Sequence, residues 1–509
     1  MCSLLTERYA DKIKGVLSCF DRIVIQGTLP NIGHAHGMTA YLHAHHIRIF
    51  DYTQFAEPFR DEICENAERL AAENGLKIEF VRNHEQRKDE LIRKIIRERA
   101  NRPGLVAILS AMEGCPTYKP WHDKETGENY VKPDQGRCLH YYFYLIDEEL
   151  GLCYVRVPTW CPFRLQIYFN GHNWLAARMR KRRIDFVQVE NAFVEVAAWE
   201  KAQELADGLK AHGIHRLLDR FARQYCPVVR HFGVRYHWSI MQAEYATDIV
   251  FRRQSDLQEV YGTLTRTAIH TVKPDNVATF LGRKLHGNYQ GELGNDFHTR
   301  IEGTRIKHHM GSASIKMYDK FAMILRIETT TDDVSFFKHY REVEQRDGTR
   351  TMKWAQMRKN IYSLAPLRDL LLAANRRYLE FISAIDDTSA GVRHLNKISR
   401  TIVENDRSYR GFNFFDDEDA RLFEIIARGE FNISGFQNKN LRRFLHDKTC
   451  EQVSRVLKRL RMHGLIKRIR STYKYYLTRL GRRILAAGIK LRDFMLIPAL
   501  ASPLAVENA

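Results

Sequence analysis

The chain has 509 residues, 44% of them hydrophobic and 11% aromatic, which excludes a mostly disordered protein and leaves apolar material for about three domains. Eighty Lys and Arg oppose 61 Asp and Glu, a formal charge of +19, so a polyanionic partner is expected, nucleic acid before a membrane surface. No apolar run approaches the ~18 residues of a membrane span, and the first residues carry charge where a signal peptide needs an apolar core. A cytoplasmic protein without membrane contact is therefore expected. Neither GxxxxGK[ST] nor a strand-borne GxGxxG occurs, so no nucleotide cofactor is expected. The nine cysteines include no CxxC pair; Cys138, His140, Cys153 and Cys161 fall on neighbouring strand-like segments and are read as packing.

In chain order, FDRIVIQGTL (20–29), HIRIF (46–50), LKIEFVR (76–82) and LVAILSA (105–111) read as strands. Helical patterns near 37–45, 55–74 and 85–101 separate them, and that alternation predicts a parallel α/β layer over residues 1–135. From 136 to 345 the aromatic, β-branched runs 139–146, 152–157 and 163–169, with later strands at 236–251, 314–320 and 322–330, predict an α+β domain with an antiparallel sheet. Residues 346–405 read as a helical connector, purely helical over 350–385; 406–495 form a further domain, and 496–509 a tail.

The 406–495 segment carries the sharpest signal. An acidic cluster, Asp416–Asp419, suits the positive end of a helix dipole; a second helix is expected near 436–445 and a third from Thr449 to His463, stopped by Gly464. In the third, Val453, Val456, Leu457 and Leu460 make a core stripe, and Glu451, Arg455, Lys458 and Met462 face away, with Arg459 at the edge. A hairpin follows, LIKRI (465–469) and YKYYLT (473–478). Seventeen Lys and Arg against four acids between 430 and 493 hold about two thirds of the chain's excess charge. Such density displaces condensed counterions from phosphates. Three helices followed by a basic hairpin is the winged-helix plan, and CEQVSRVLKRLRMHGLIKR (450–468) with YKYYLTRLGRRIL (473–485) resembles the MarR-type regulators over about 80 residues. The resemblance implies double-stranded DNA as partner. Arg455, Lys458, Arg459, Arg461, Lys467, Arg468, Arg470 and Lys474 are the candidate contacts, the third helix in a major groove and the hairpin on the backbone.

In the middle domain, Glu244 and Asp248 are four apart on one strand and share a face, as do Lys316, Tyr318 and Lys320, and Arg326 with Glu328. Glu244, Asp248 and Glu328 are candidate ligands for Mg2+ or Mn2+. Tyr318 is the candidate nucleophile toward a phosphodiester, with Lys320 stabilising developing charge. SIKMYDKFAMILRIE (314–328) is similar to a stretch of filamentous-phage-type rolling-circle replication initiators, which implies nicking of one DNA strand through a catalytic tyrosine with metal assistance. The wider superfamily pairs two histidines on a strand; here His34-Ala35-His36 and His43-Ala44-His45 fall in loop or helix patterns. Asp21 and Glu113 offer a ribonuclease-H-like carboxylate pair as an alternative.

The expectation is thus a winged-helix DNA-binding protein that nicks or transfers strands for a mobile element or replicon. The alternatives are a non-catalytic transcriptional regulator, with a homodimer as one possible assembly, and an RNA-binding ribonucleoprotein component. The body is a candidate for contact with single-stranded DNA or RNA.

Overall fold

The computed structural model describes residues 4–82, 88–99, 102–285, 289, 291–300, 303–345, 347–385, 392–469, 472–497 and 500. The protein is mixed α/β, with 43% of the described residues in helix and 32% in strand. Its chain divides into two compact units, each assembled from separated stretches. The first, called the cleft unit below, takes residues 17–247 and 330–370; the second, the C-terminal unit, takes 1–16, 248–329 and 371–509. The boundaries read from sequence run serially instead, because a composition scan has no view of strands that return from distant positions.

The cleft unit is built on β1 (Ile13–Thr28), β2 (Ile78–Phe80), β3 (Gly104–His122), β4 (Asn129–Asp147), β5 (Gly151–Pro158), β6 (Leu165–Phe169) and β9 (His237–Phe251), with a small side hairpin of β7 (Phe186–Val189) and β8 (Ala192–Val196). The strand order is β9-β1-β6-β5-β4-β3-β2. β1 pairs antiparallel with β6, β6 with β5, β5 with β4 and β4 with β3, whereas β2 runs parallel to β3. The expected parallel layer over 1–135 is therefore corrected to a largely antiparallel sheet. The helix Tyr52–Glu73 follows β1 without leading to a parallel neighbour, and β1 finds its partner in β6, far along the chain. HIRIF is likewise not a strand. His46 takes a left-handed φ of 57°, residues 49–51 make a single 3-10 turn, and the helix at Tyr52 starts at once, leaving no extended edge to pair.

Period-2 alternation sets the two faces of this sheet. Cys153, Val155 and Val157 of β5 and Leu165, Ile167 and Phe169 of β6 are fully buried. The helix Ala211–Tyr225 packs there, with the Tyr225 ring 4.8 Å from that of Phe143. Tyr154, Arg156, Gln166 and Tyr168 point the other way and are half-buried.

In the C-terminal unit, β10 (Leu293–Arg300), β11 (Gly303–Met310), β12 (Ala313–Lys320) and β13 (Ile324–Thr331) lie side by side in that order, and every residue of β13 is buried. Residues 350–385 are not wholly helical. β14 (Lys338–Glu344) and β15 (Arg350–Gln356) form a hairpin in the cleft unit, and helix begins only with the 3-10 turn Ile361–Ser363 that leads into Leu364–Ile385. The alternation of KHYREVE and RTMKWAQ around Asp347-Gly348, with Gly348 at φ 80°, carries that hairpin signal.

The C-terminal residues form a short pair, β16 (Ile402–Glu404) and β17 (Arg407–Tyr409), then helices Asp417–Ile426, Gly429–Ser434, Asn438–Arg442 and Cys450–Met462. The hairpin β18 (Ile466–Arg468) and β19 (Tyr475–Leu477) and the helix Arg479–Ile489 follow. Phe436 bridges to Tyr475, and Leu422, Phe423, Leu441, Val453, Leu457 and Leu460 share one core.

Candidate nucleic-acid interface and acid–base groups

Thr449 starts the helix Cys450–Met462 through a reciprocal cap. Its hydroxyl accepts from the Gln452 amide at 3.3 Å, while its own amide donates to Gln452 Oε1 at 2.7 Å. With Val453, Leu457 and Leu460 turned into the core, Glu451, Ser454 and Arg455 are left exposed. Asn438 Nδ2 donates to the Cys450 carbonyl (2.9 Å) and to Ser454 Oγ (2.8 Å), tying this helix to the preceding short one.

The seven described candidate cations separate into two groups. Arg455, Arg461, Lys467 and Lys474 are exposed and have no ion-pair partner among the described residues. Arg468 is exposed too; its Nε donates to the Thr472 carbonyl at 2.9 Å and its guanidinium lies 5.5 Å from the Tyr473 ring. Arg459 faces inward. It forks onto buried Asp419 at 2.7 and 2.9 Å, donates to the carbonyls of Arg410 and Gly411, and stacks 3.9 Å over Phe412. That fork holds the fold and leaves the arginine few donors for a phosphate. Lys458 reaches Glu404 at 2.8 Å, and Arg470 lies outside the described residues.

The middle-domain candidates are placed as follows. Within the C-terminal unit, Glu328 Oε1 accepts from Lys316 Nζ at 2.7 Å and Oε2 from Tyr318 Oη at 2.8 Å. Glu328 is 2% exposed, whereas Tyr318 is half-buried. A phenol already donating to a carboxylate, with an ammonium on that carboxylate's other oxygen, has a proton acceptor in place. Asp248 is held differently: Arg326 forks onto it at 2.6 and 2.7 Å, and both side chains are buried. Its two oxygens accept from a guanidinium, which sets it apart from the metal-ligand role expected of it. Lys320 is buried, its ammonium 5.0 Å from the Phe321 ring.

Glu244 belongs to the cleft unit, where β9 neighbours β1. It brings a carboxylate oxygen within 4.8 Å of one from Asp21, close enough for the two to share a cation. Local structure shapes the surroundings of Asp21. Asn170 caps the helix Gly171–Lys181 by accepting from the His172 amide at 2.7 Å, and its Nδ2 lies 3.3 Å from Asp21 Oδ1. His172 Nδ1 is 3.1 Å from the same oxygen, and Asn191 Nδ2 donates to both oxygens, at 2.6 and 2.7 Å. Only glycine fits at 171, since a Cβ there would meet the Phe20 carbonyl oxygen at 2.2 Å. The partnership of Asp21 with Glu244 was missed in the sequence, where the two lie more than two hundred residues apart.

Glu113 is not paired with Asp21. It accepts from Lys88 (2.6 Å), from Tyr142 Oη (2.7 Å) and from Arg156 (2.7 and 3.0 Å). Burial pushes this carboxyl up, but the hydrogen bonds from Lys88, Tyr142 and Arg156 outweigh it and hold the group down at about 2. A lowered folded-state value makes the network's contribution complete above the ordinary value of 4.5 and lost as the pH falls toward 2. Glu113→Gln is expected to lower stability by about 1–3 kcal/mol at neutral pH. It should also flatten the acid side of a melting-temperature profile; an unchanged profile would show that the network contributes nothing.

No protein family, curated protein or solved structure matches the chain. Among the described residues, no helix is long and apolar enough to cross a membrane.

Proposed function

We propose that the protein binds duplex DNA through its C-terminal helices and hairpin, used as a winged helix, and that its β12–β13 groups act on a DNA strand. The observation that carries the docking reading is the exposure of Arg455, Arg461, Lys467 and Lys474 on one helix and the hairpin after it, while Val453, Leu457 and Leu460 of that helix are turned into the core. Cations on a helix of groove-filling diameter, followed by a basic wing, match the way such modules place base contacts and backbone contacts on different elements. Mg2+ or Mn2+ belongs to the reading as the ion that Asp21 and Glu244 would hold, where it would polarise a phosphate.

The test is equilibrium binding to a randomised duplex pool over a salt series. Arg455→Ala should relax preference at one base position by about 1–3 kcal/mol, because a base-reading contact is lost. Lys474→Ala should weaken all sequences alike and reduce the salt slope by about one phosphate. Identical effects from the two substitutions would contradict the assignment. A palindromic footprint with no cleavage under either metal would favour a regulator over a strand-processing enzyme.

A further inference from the structure

A cleft of about 2060 Å³ opens on the sheet of the cleft unit, on the face away from the helix Ala211–Tyr225. Small-molecule sites run to about 300–1,000 Å³, so this space is sized for a polymer. Its floor is a cross-strand row of three tyrosines: Tyr144 of β4 stands opposite Tyr154 of β5, and Tyr154 opposite Tyr168 of β6. The ring centroids are 5.3 Å apart in the first pair and 5.1 Å in the second, whose planes lie within 21° of each other. Tyr154 and Tyr168 are half-buried, so the stack ends in rings that reach the open space. Arg22 lies 5.3 Å over the Tyr168 ring, and its Nε is buried with no hydrogen-bond partner. Arg180 and Arg183, both exposed, stand at the rim.

The charge of the lining points the same way. Of the five acids that line the cleft, Glu113 is paired with Lys88 and Arg156 and Asp147 with Arg220, which leaves Glu148, Asp185 and Glu190 against Arg22, Arg82, Arg137, Arg180 and Arg183. Arg22, Arg180 and Arg183 have no ion-pair partner among the described residues. Aromatic platforms beside unpaired arginines suit a strand whose bases are free to stack and whose phosphates carry the charge; a duplex keeps its base faces covered.

We propose that this cleft binds single-stranded nucleic acid, with bases stacked on Tyr154 and Tyr168 and phosphates held by Arg22, Arg180 and Arg183. The proposal does not rest on the reading of the C-terminal helices, and its failure can be told from theirs. The experiment follows fluorescence anisotropy of the full chain with a short labelled oligothymidylate or oligouridylate, in the presence of excess unlabelled duplex. Binding that survives the duplex is expected, and a preference between the two strands identifies DNA or RNA as the source of the same chemistry. Tyr154→Leu combined with Tyr168→Leu keeps apolar bulk in both places and should cost roughly ten-fold or more in strand affinity while duplex affinity is retained. Arg22→Gln should lower the salt slope for the strand by about one phosphate, and it carries the test if the tyrosine variant melts early. Complete displacement of the strand by duplex overturns the proposal, as does wild-type strand affinity and salt slope in Arg22→Gln.

Discussion

Tyr318→Phe is expected to abolish formation of a covalent protein–DNA adduct. In the proposed step the Tyr318 oxygen attacks a backbone phosphorus, its proton passing to Glu328, which accepts from that hydroxyl at 2.8 Å. A tyrosine–phosphate bond forms on the 5′ side as the bond to the 3′ oxygen breaks, and that oxygen leaves as a hydroxyl once protonated. Phenylalanine keeps the ring and removes the attacking atom, so nicking should fall by roughly three orders of magnitude or more. Stability should change by only about 1 kcal/mol, because Lys316 still holds Glu328 at 2.7 Å. The measurement is a denaturing gel of 3′-end-labelled single-stranded DNA incubated with Mg2+ or Mn2+, looking for label that migrates with the protein. Equal adduct from wild type and Tyr318→Phe would remove this tyrosine as nucleophile.

Arg326→Met should produce the largest loss of stability. The guanidinium is fully buried, and its fork onto Asp248 sets a cation against a carboxylate that is itself only 2% exposed. Removing the cation leaves a buried charge, at a cost of about 3–5 kcal/mol. Adding Asp248→Leu should restore most of it, since a matched apolar pair is often no less stable than a buried ion pair. Chemical denaturation of the two variants decides the matter. If the double variant is no better than Arg326→Met alone, the cost lies in packing volume rather than in the stranded charge.

Much of the C-terminal unit's local structure is legible along the chain. The cap at Thr449 with Gln452, the stripe Val453, Leu457 and Leu460, and the stop at Gly464 each depend on residues within a few positions, and the helix runs from Cys450 to Met462. The role of Arg459 is not legible. Its edge position on the helix reads as a surface cation, yet Asp419, forty residues earlier, takes it into the interior. The tyrosine row shows the same division. Tyr144, Tyr154 and Tyr168 each sit at a strand position with period-2 neighbours, but only the register of three strands makes them one stack. A search for tyrosines at matching positions in three consecutive strands would have found the row.

The sequence by itself therefore determined the mixed α/β class, the excess charge and its concentration in the last hundred residues, and where the helix Cys450–Met462 begins and ends. Caps, turns and periodicity act through the backbone of adjacent residues, so they are written locally. Tertiary structure alone decided that β1 runs against β6, that Asp248 meets Arg326 while Glu328 meets Tyr318, and that Asp21 lies beside Glu244. Those outcomes turn on which charges lose their water together, and desolvation is shared by groups that only the folded chain brings into reach.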